Sequence, residues 1–140
     1  MGVFRKKLTT DELAAKGNDL FDKGKYPQAI EVWNEGLNSL DAPLNAQSEA
    51  VWFRTAIADA LFVQGEFEKA CPYLVDAVSN LSGEGQTNPF VLLRLGQCSY
   101  ELGKQQEAAE YLLRAYMLAG EDIFECEDEK YLSFIGDMIK

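Results

Sequence analysis

The sequence predicts an all-α protein, a solenoid of helical hairpins closed by a C-terminal helix. Three observations predict it. Small residues recur at one fixed spacing along the chain. The segments between these marks carry apolar residues at helical period. The last stretch places its apolar residues on one face, as the cover of a final unit must.

The marks are Gly17, Gly24, Ala29 and Gly36, then Ala58, Gly65, Ala70 and Ala77, then Gly96, Gly103, Ala108 and Ala115. Within each set the steps are seven, five and seven residues, and the sets lie 41 and then 38 residues apart. Periods of this size signal stacked supersecondary units.

The elements follow in order. Thr10 is an N-cap candidate, with Asp11 and Glu12 behind it and Leu13, Leu20 and Phe21 as the apolar residues of a first helix. Pro27 suits the first turn of a second helix, in which Ala29, Ile30, Trp33, Leu37 and Leu40 keep helical spacing. SEAVWFRTAIADALFVQG and FEKACPYLVDAVSNL form a second pair, with Pro72 early in its helix. NPFVLLRLGQCSYELG and KQQEAAEYLLRAYMLAG form a third, with Asn88 as N-cap and Pro89 at the first helical position. Gly24, Gly65 and Gly103 each end a first helix and permit the left-handed cap that a tight reversal needs. Gly17, Ala58 and Gly96 lie mid-helix, where glycine costs about 1 kcal/mol relative to alanine. Close approach of the paired helix is the offsetting gain. The residues 41–47 (DAPLNAQ) and 82–88 (SGEGQTN) read as connections. From Asp128 onward, Tyr131, Leu132, Ile135, Met138 and Ile139 share a face, so 128–139 is expected as a capping helix, with Ile123 and Phe124 tucked against the third pair. A partner-binding amphipathic helix is the alternative for the same residues.

Composition narrows the function. A chain of 140 residues can bury one domain's core, and 47% hydrophobic content is ordinary. No apolar run approaches the roughly 18 residues of a membrane span. The start, MGVFRKKLTTDEL, lacks the apolar stretch of a secretory signal. Gly2 is followed by Val3, Phe4, Arg5 and Lys6 with no Ser or Thr at the sixth residue, a poor match for myristoylation. The absence of histidine removes His-based nucleophile pairs and most zinc and iron sites. No cofactor and no metal is expected. Cys71, Cys98 and Cys126 are odd in number and widely spaced, which suits free thiols in a reducing cytoplasm. The net charge of −10 disfavours nucleic acid and anionic membrane, and it steers basic protein partners toward the surface.

The marked segments resemble the tetratricopeptide repeat (TPR), whose signature runs aromatic, Leu-Gly, Tyr, then Ala-x3-Phe, then Pro. The third unit shows Leu92 in the aromatic place, Leu95-Gly96 and Ala108-x3-Leu112. The first shows Leu13, Gly17, Leu20 and Ala29-x3-Trp33, and the second Ile57-Ala58, Leu61 and Ala70-x3-Leu74. The closing proline is absent from all three, and both periods exceed the usual repeat of about 34 residues. The resemblance implies a right-handed α-solenoid forming a single domain over 1–140. Its repeats would cover about 10–43, 51–84 and 89–122.

It also implies a concave groove lined by the first helices that binds a peptide or protein surface. The groove positions are Asp11, Ala14, Asn18, Phe21 and Asp22, then Trp52, Thr55, Asp59, Phe62 and Val63, then Phe90, Leu93, Gln97, Tyr100 and Glu101. The best-known subgroup clamps the C-terminal carboxylate of chaperone tails. Asn18 and Arg94 match two places of that clamp, whereas Ala14, Ala56 and Phe90 lack the donors and Asp59 adds repulsion. Capture of an acidic tail is therefore not expected. Instead Trp52, Phe62, Phe90 and Tyr100 are candidates to anchor apolar side chains, and Asp22, Asp59 and Glu101 to meet Lys or Arg. The same aromatics are equally suited to fill core between units. The run Glu121, Asp122, Glu125, Glu127, Asp128 and Glu129 is a second candidate surface, read first as a solvated connection.

The implied function is a non-catalytic protein–protein interaction module. Small acidic proteins of this kind also resemble secretion chaperones that hold an apolar translocator segment, and immunity or accessory proteins of bacterial toxins. A self-assembling scaffold is a further alternative, with the groove paired to a second copy. Enzymatic activity is not expected, since carboxylate pairs such as Asp22 with Asp59 would sit in a groove open to water.

Overall fold

The computed structural model describes residues 7–139. Gly2 to Lys6, the segment read against myristoylation, lies outside the described residues. The described residues are helical with no strand. Helix α1 (Thr10–Asp22) pairs with α2 (Tyr26–Asn38), and α3 (Ser48–Val63) pairs with α4 (Phe67–Val78). After a single turn, α5 (Glu84–Thr87), α6 (Pro89–Glu101) pairs with α7 (Gln105–Ala119). Successive hairpins stack through α2 on α3 and α4 on α6. No helix among the described residues is long and apolar enough to cross a membrane.

Local chemistry sets each boundary. The cap of α1 is Thr9, not Thr10. Its hydroxyl accepts from the Glu12 N–H at 3.1 Å, and its own N–H donates to Glu12 Oε1 at 3.0 Å. The reciprocal box needs a hydroxyl three residues before the glutamate, a place that Thr9 holds and Thr10 does not. Asn88 caps α6 as its sequence suggests, accepting from the Phe90 N–H at 2.9 Å, with Pro89 at the first turn. Helix α4 begins at Phe67 and runs through Pro72, so that proline lies inside the helix.

The three reversals are the same motif. Gly24, Gly65 and Gly103 sit at φ +75°, +76° and +76°. At each, the glycine N–H donates to the carbonyl three residues back, and the next N–H donates to the carbonyl five residues back. For the first, Gly24 N–H reaches Phe21 O at 2.9 Å and Lys25 N–H reaches Leu20 O at 2.8 Å. This pairing satisfies carbonyls that a helix end leaves open, and it needs the left-handed conformation. Gly17 has a different task. A Cβ there would fall within the indole of Trp33, whose Nε1–H donates to Ala14 O at 3.2 Å across the hairpin.

The connections that lengthen the period pack on each other. Asn80, 4% exposed, donates through its amide nitrogen to Gln47 O at 3.0 Å, and Leu81 N–H donates to Asn45 O at 2.7 Å. A buried amide without such partners would be costly, so Asn80 clips the two connections together.

The core divides into two clusters. Trp33, Phe53, Ile57, Leu74 and Leu95 centre the first, and Leu92, Leu112, Phe124, Tyr131 and Ile135 the second. The second depends on the C-terminal segment. The chain leaves α7 at Gly120, makes a 3-10 turn over Glu121–Phe124 and enters α8 (Glu129–Ile135), capped by Asp128, whose Oδ1 accepts from the Lys130 N–H at 2.9 Å. The helix expected over 128–139 is shorter. A 3-10 turn at Gly136–Met138 replaces its last turn. A 3-10 turn has fewer residues per turn than an α-helix, so Met138 leaves the shared face there while Ile139 still packs against the second cluster. Tyr131 and Ile135 are buried, but Met138 is 51% exposed.

Candidate functional site

Helices α1, α3 and α6 line one face of the stack, and two clefts run along it. The first, about 200 Å³, lies between α1 and α3 and is lined by Asn18, Phe21, Trp33, Trp52, Thr55, Ala56 and Asp59. The second, about 510 Å³, lies between α3, α6 and the C-terminal segment; Phe90, Leu93, Arg94, Ile123 and Glu127 are among its lining residues. Thr55 and Asp59 line both, so the two clefts adjoin across α3.

The structure thus brings Asn18, Phe21, Trp52, Asp59, Phe90 and Arg94 together. It leaves Asp22, Phe62, Gln97, Tyr100 and Glu101 outside the linings of these two clefts. Trp33 and Ile123 enter the clefts without having been groove candidates, and Asp122 and Glu127 enter the second from the acid run that was the other candidate surface.

The aromatic residues fall into two kinds. Phe21, Phe62 and Tyr100 each stand three residues before a turn glycine, and each is half-buried. Phe21 meets Tyr26 edge-on with centroids 5.1 Å apart, and Phe62 meets Phe67 at 5.3 Å. In both hairpins the partner stands two residues after the glycine. The third hairpin has Gln105 at that place, and Tyr100 packs instead on Tyr131 and Phe134 of α8 at 5.4 and 5.2 Å. Phe21 and Phe62 thus close their own hairpins, Phe21 while also lining the first cleft, and Tyr100 closes the joint with α8. Trp52 and Phe90 are the aromatics left open, at 43% and 65% exposure. Trp52 is held at one edge by Trp33 and Phe53, with centroids 6.0 and 5.3 Å away.

Arg94 is the electrostatic centre. Its Nε donates to Asp59 Oδ1 at 2.8 Å, and its Nη1 donates to Glu127 Oε1 at 3.0 Å and to Gln97 Oε1 at 2.7 Å. The guanidinium carbon lies 4.3 Å from the Phe62 ring centroid. Burial alone would lower the Arg94 pKa, but the Asp59 and Glu127 carboxylates outweigh it and hold the group above its usual range. Burial raises the Asp59 carboxyl above its ordinary value despite the Arg94 charge. Burial also pushes the Cys98 thiol up to about 12, which leaves it a packing group.

Two expectations need correction. The acidic edge is largely neutralised from within: Asp59 pairs with Arg94, and Glu101 accepts from Lys130 Nζ at 3.0 Å. The acid run at 121–129 is not uniformly solvated either. Glu127 turns inward, with its side chain 18% exposed, because Arg94 and Gln97 present donors to it. Nothing local marks Glu127 among its acidic neighbours, since both donors lie at least 30 residues away. Among the described residues no cluster of three or more His, Cys, Asp or Glu side chains could hold a metal ion.

No protein-family model matches the sequence, and a search of curated proteins finds no match. Solved structures do match over nearly the whole chain. The first TPR of Spaghetti (RPAP3), bound to the HSP90 peptide SRMEEVD, has a TM-score of 0.72 at 24% identity, covering 94% of this chain and 95% of that one. The first TPR domain of human RPAP3 has a TM-score of 0.71 at 24% identity, covering 92% and 94%. The Yersinia enterocolitica type III secretion chaperone SycD, in complex with a peptide of the translocator YopD, has a TM-score of 0.70 at 18% identity, covering 92% and 91%. The chain has the fold of TPR domains.

Proposed function

We propose that this protein is a non-catalytic interaction module whose groove holds a peptide or protein surface bearing apolar side chains flanked by Lys or Arg. The observation that carries this reading is the pair of adjoining clefts along α1, α3 and α6, with the exposed aromatics Trp52 and Phe90 among their linings. Large aromatics with one exposed edge are suited to anchor a partner. The charge of the second cleft points the same way. Asp59, Asp122 and Glu127 line it against the single cation Arg94, which pairs with Asp59 and Glu127, so three carboxylates against one guanidinium leave a net negative charge. Peptide complexes among the matched structures support a peptide-sized occupant. An HSP90 peptide such as SRMEEVD fits the chemistry poorly, because Arg94 already serves two carboxylates. The cytoplasm is the compartment that suits three unpaired cysteines.

A second, narrower reading is an acidic chaperone or accessory protein for a secreted toxin or translocator. The likeness to SycD with its translocator peptide favours it, and it uses the same groove.

Calorimetric titration with two synthetic peptides tests the proposal: SRMEEVD, and an amidated peptide alternating Lys with Leu and Tyr. The basic peptide is expected to bind and SRMEEVD to bind weakly or not at all. Replacing Trp52 and Phe90 together by Ala should weaken the basic peptide roughly tenfold or more. Undiminished affinity in that double variant would remove the groove assignment.

A further inference from the structure

Glu127 occupies a pair of donors at the wall of the second cleft, Arg94 from its lining and Gln97 from behind it. Gln97 is fully buried, yet its amide nitrogen donates to Glu127 Oε1 at 2.6 Å. Arg94 Nη1 donates to the same oxygen at 3.0 Å, and the Gln97 carbonyl oxygen holds that nitrogen in place at 2.7 Å. Two donors from neighbouring turns of α6 therefore converge on one carboxylate oxygen. Asp59 and the Phe62 ring occupy the other sides of the guanidinium.

The carboxylate comes from outside the hairpins. Glu127 stands between the 3-10 turn at Glu121–Phe124 and α8, where its N–H donates to Phe124 O at 3.0 Å. Its acidic neighbours Glu125, Asp128 and Glu129 are exposed. A carboxylate leaves water only where charged or well-aimed donors compensate it. One member of the run turns inward because Arg94 and Gln97 aim donors at a single carboxylate oxygen.

We propose that Glu127 determines specificity: it fills from within the chain the point of the groove that would accept a partner's carboxylate, so acidic peptide ends are refused. The proposal deepens the function proposed above and rests on α1, α3 and α6 forming the binding face. A tethered carboxylate there already holds Arg94 Nη1 and the Gln97 amide nitrogen, and it adds repulsion toward an incoming acid. Basic and apolar side chains suffer neither penalty.

The test is calorimetric titration of SRMEEVD into the wild-type chain, Glu127→Ala, and Glu127→Ala combined with Arg94→Ala, with circular dichroism monitoring the fold. Glu127→Ala is expected to bind SRMEEVD roughly tenfold or more tightly than wild type, the scale of one charge-assisted hydrogen bond. The double variant should lose that gain. The proposal is overturned by no gain in a folded Glu127→Ala, by a gain that survives loss of Arg94, or by wild type binding as tightly as the variant. If Glu127→Ala loses its helical signal, Glu127→Ser, too short to reach both donors, carries the same comparison. Unfolding of both would make Glu127 a structural residue and would also overturn it. The basic peptide keeps the two proposals apart. A gain for SRMEEVD without binding of the basic peptide sinks only the basic preference, and the reverse outcome sinks only the role of Glu127.

Discussion

Gly17 and Gly24 lie seven residues apart in one hairpin and answer to different forces. Gly24 needs a positive φ and has open space around its Cα. Gly17 has ordinary helical geometry but lies against the Trp33 indole. Gly24→Ala should therefore cost about 1–2 kcal/mol, the strain of a left-handed alanine. Gly17→Ala should cost about 1–3 kcal/mol through overpacking. Urea unfolding measures both. Near-UV circular dichroism separates them, because only Gly17→Ala must move a tryptophan. An unaltered near-UV spectrum for Gly17→Ala would show that the helices separate without disturbing Trp33. Both glycines were legible in the sequence, because spacing alone marked them. The state of Arg94 was not: the same guanidinium reads as a free donor until Asp59 and Glu127 are placed beside it.

At the scale of elements, one hairpin is written three times, and the third copy is completed by α8. Where Tyr26 and Phe67 cover the groove-side ring of their hairpins, Gln105 cannot, and α8 supplies Tyr131 and Phe134. The C-terminal helix therefore belongs to the core. Ile135→Ala, at a fully buried position, should destabilise by about 2–5 kcal/mol. Met138→Ala, beyond the end of the helix and half exposed, should stay within about 0.5 kcal/mol. Equal effects in chemical denaturation would mean that the face predicted over 128–139 is continuous after all. The sequence showed that face but not its break at Gly136, because periodicity records which residues are apolar and not where an α-helix tightens into a 3-10 turn.

For the whole molecule, the excess negative charge acts at distances that no single contact spans. At low ionic strength the field reaches roughly 30 Å, and about 10 Å at 0.1 M salt. The association rate of the basic peptide should fall several-fold across that range while its dissociation rate changes little. Stopped-flow mixing at a series of salt concentrations checks this, and an association rate indifferent to salt would remove steering from the account. Static light scattering over a concentration series decides whether the open aromatics pair two copies, and a monomer at every concentration would end the scaffold alternative.

The amino-acid order by itself determined the three hairpins, their glycine reversals, the cap at Asn88, and the small residues that let helices touch. Each of these is a local demand, met within a few residues: a positive φ, an open N–H, a Cβ with no room. Only the tertiary structure decided which charges are free. Asp59 lies 35 residues from Arg94, and Glu127 lies 33 residues beyond it, yet the three meet at one guanidinium. Pairing of buried charge depends on distance in space, where low dielectric makes a lone charge costly and a paired one tolerable. The same run of carboxylates that reads as a solvated connection therefore supplies, through one inward side chain, an occupant of the groove.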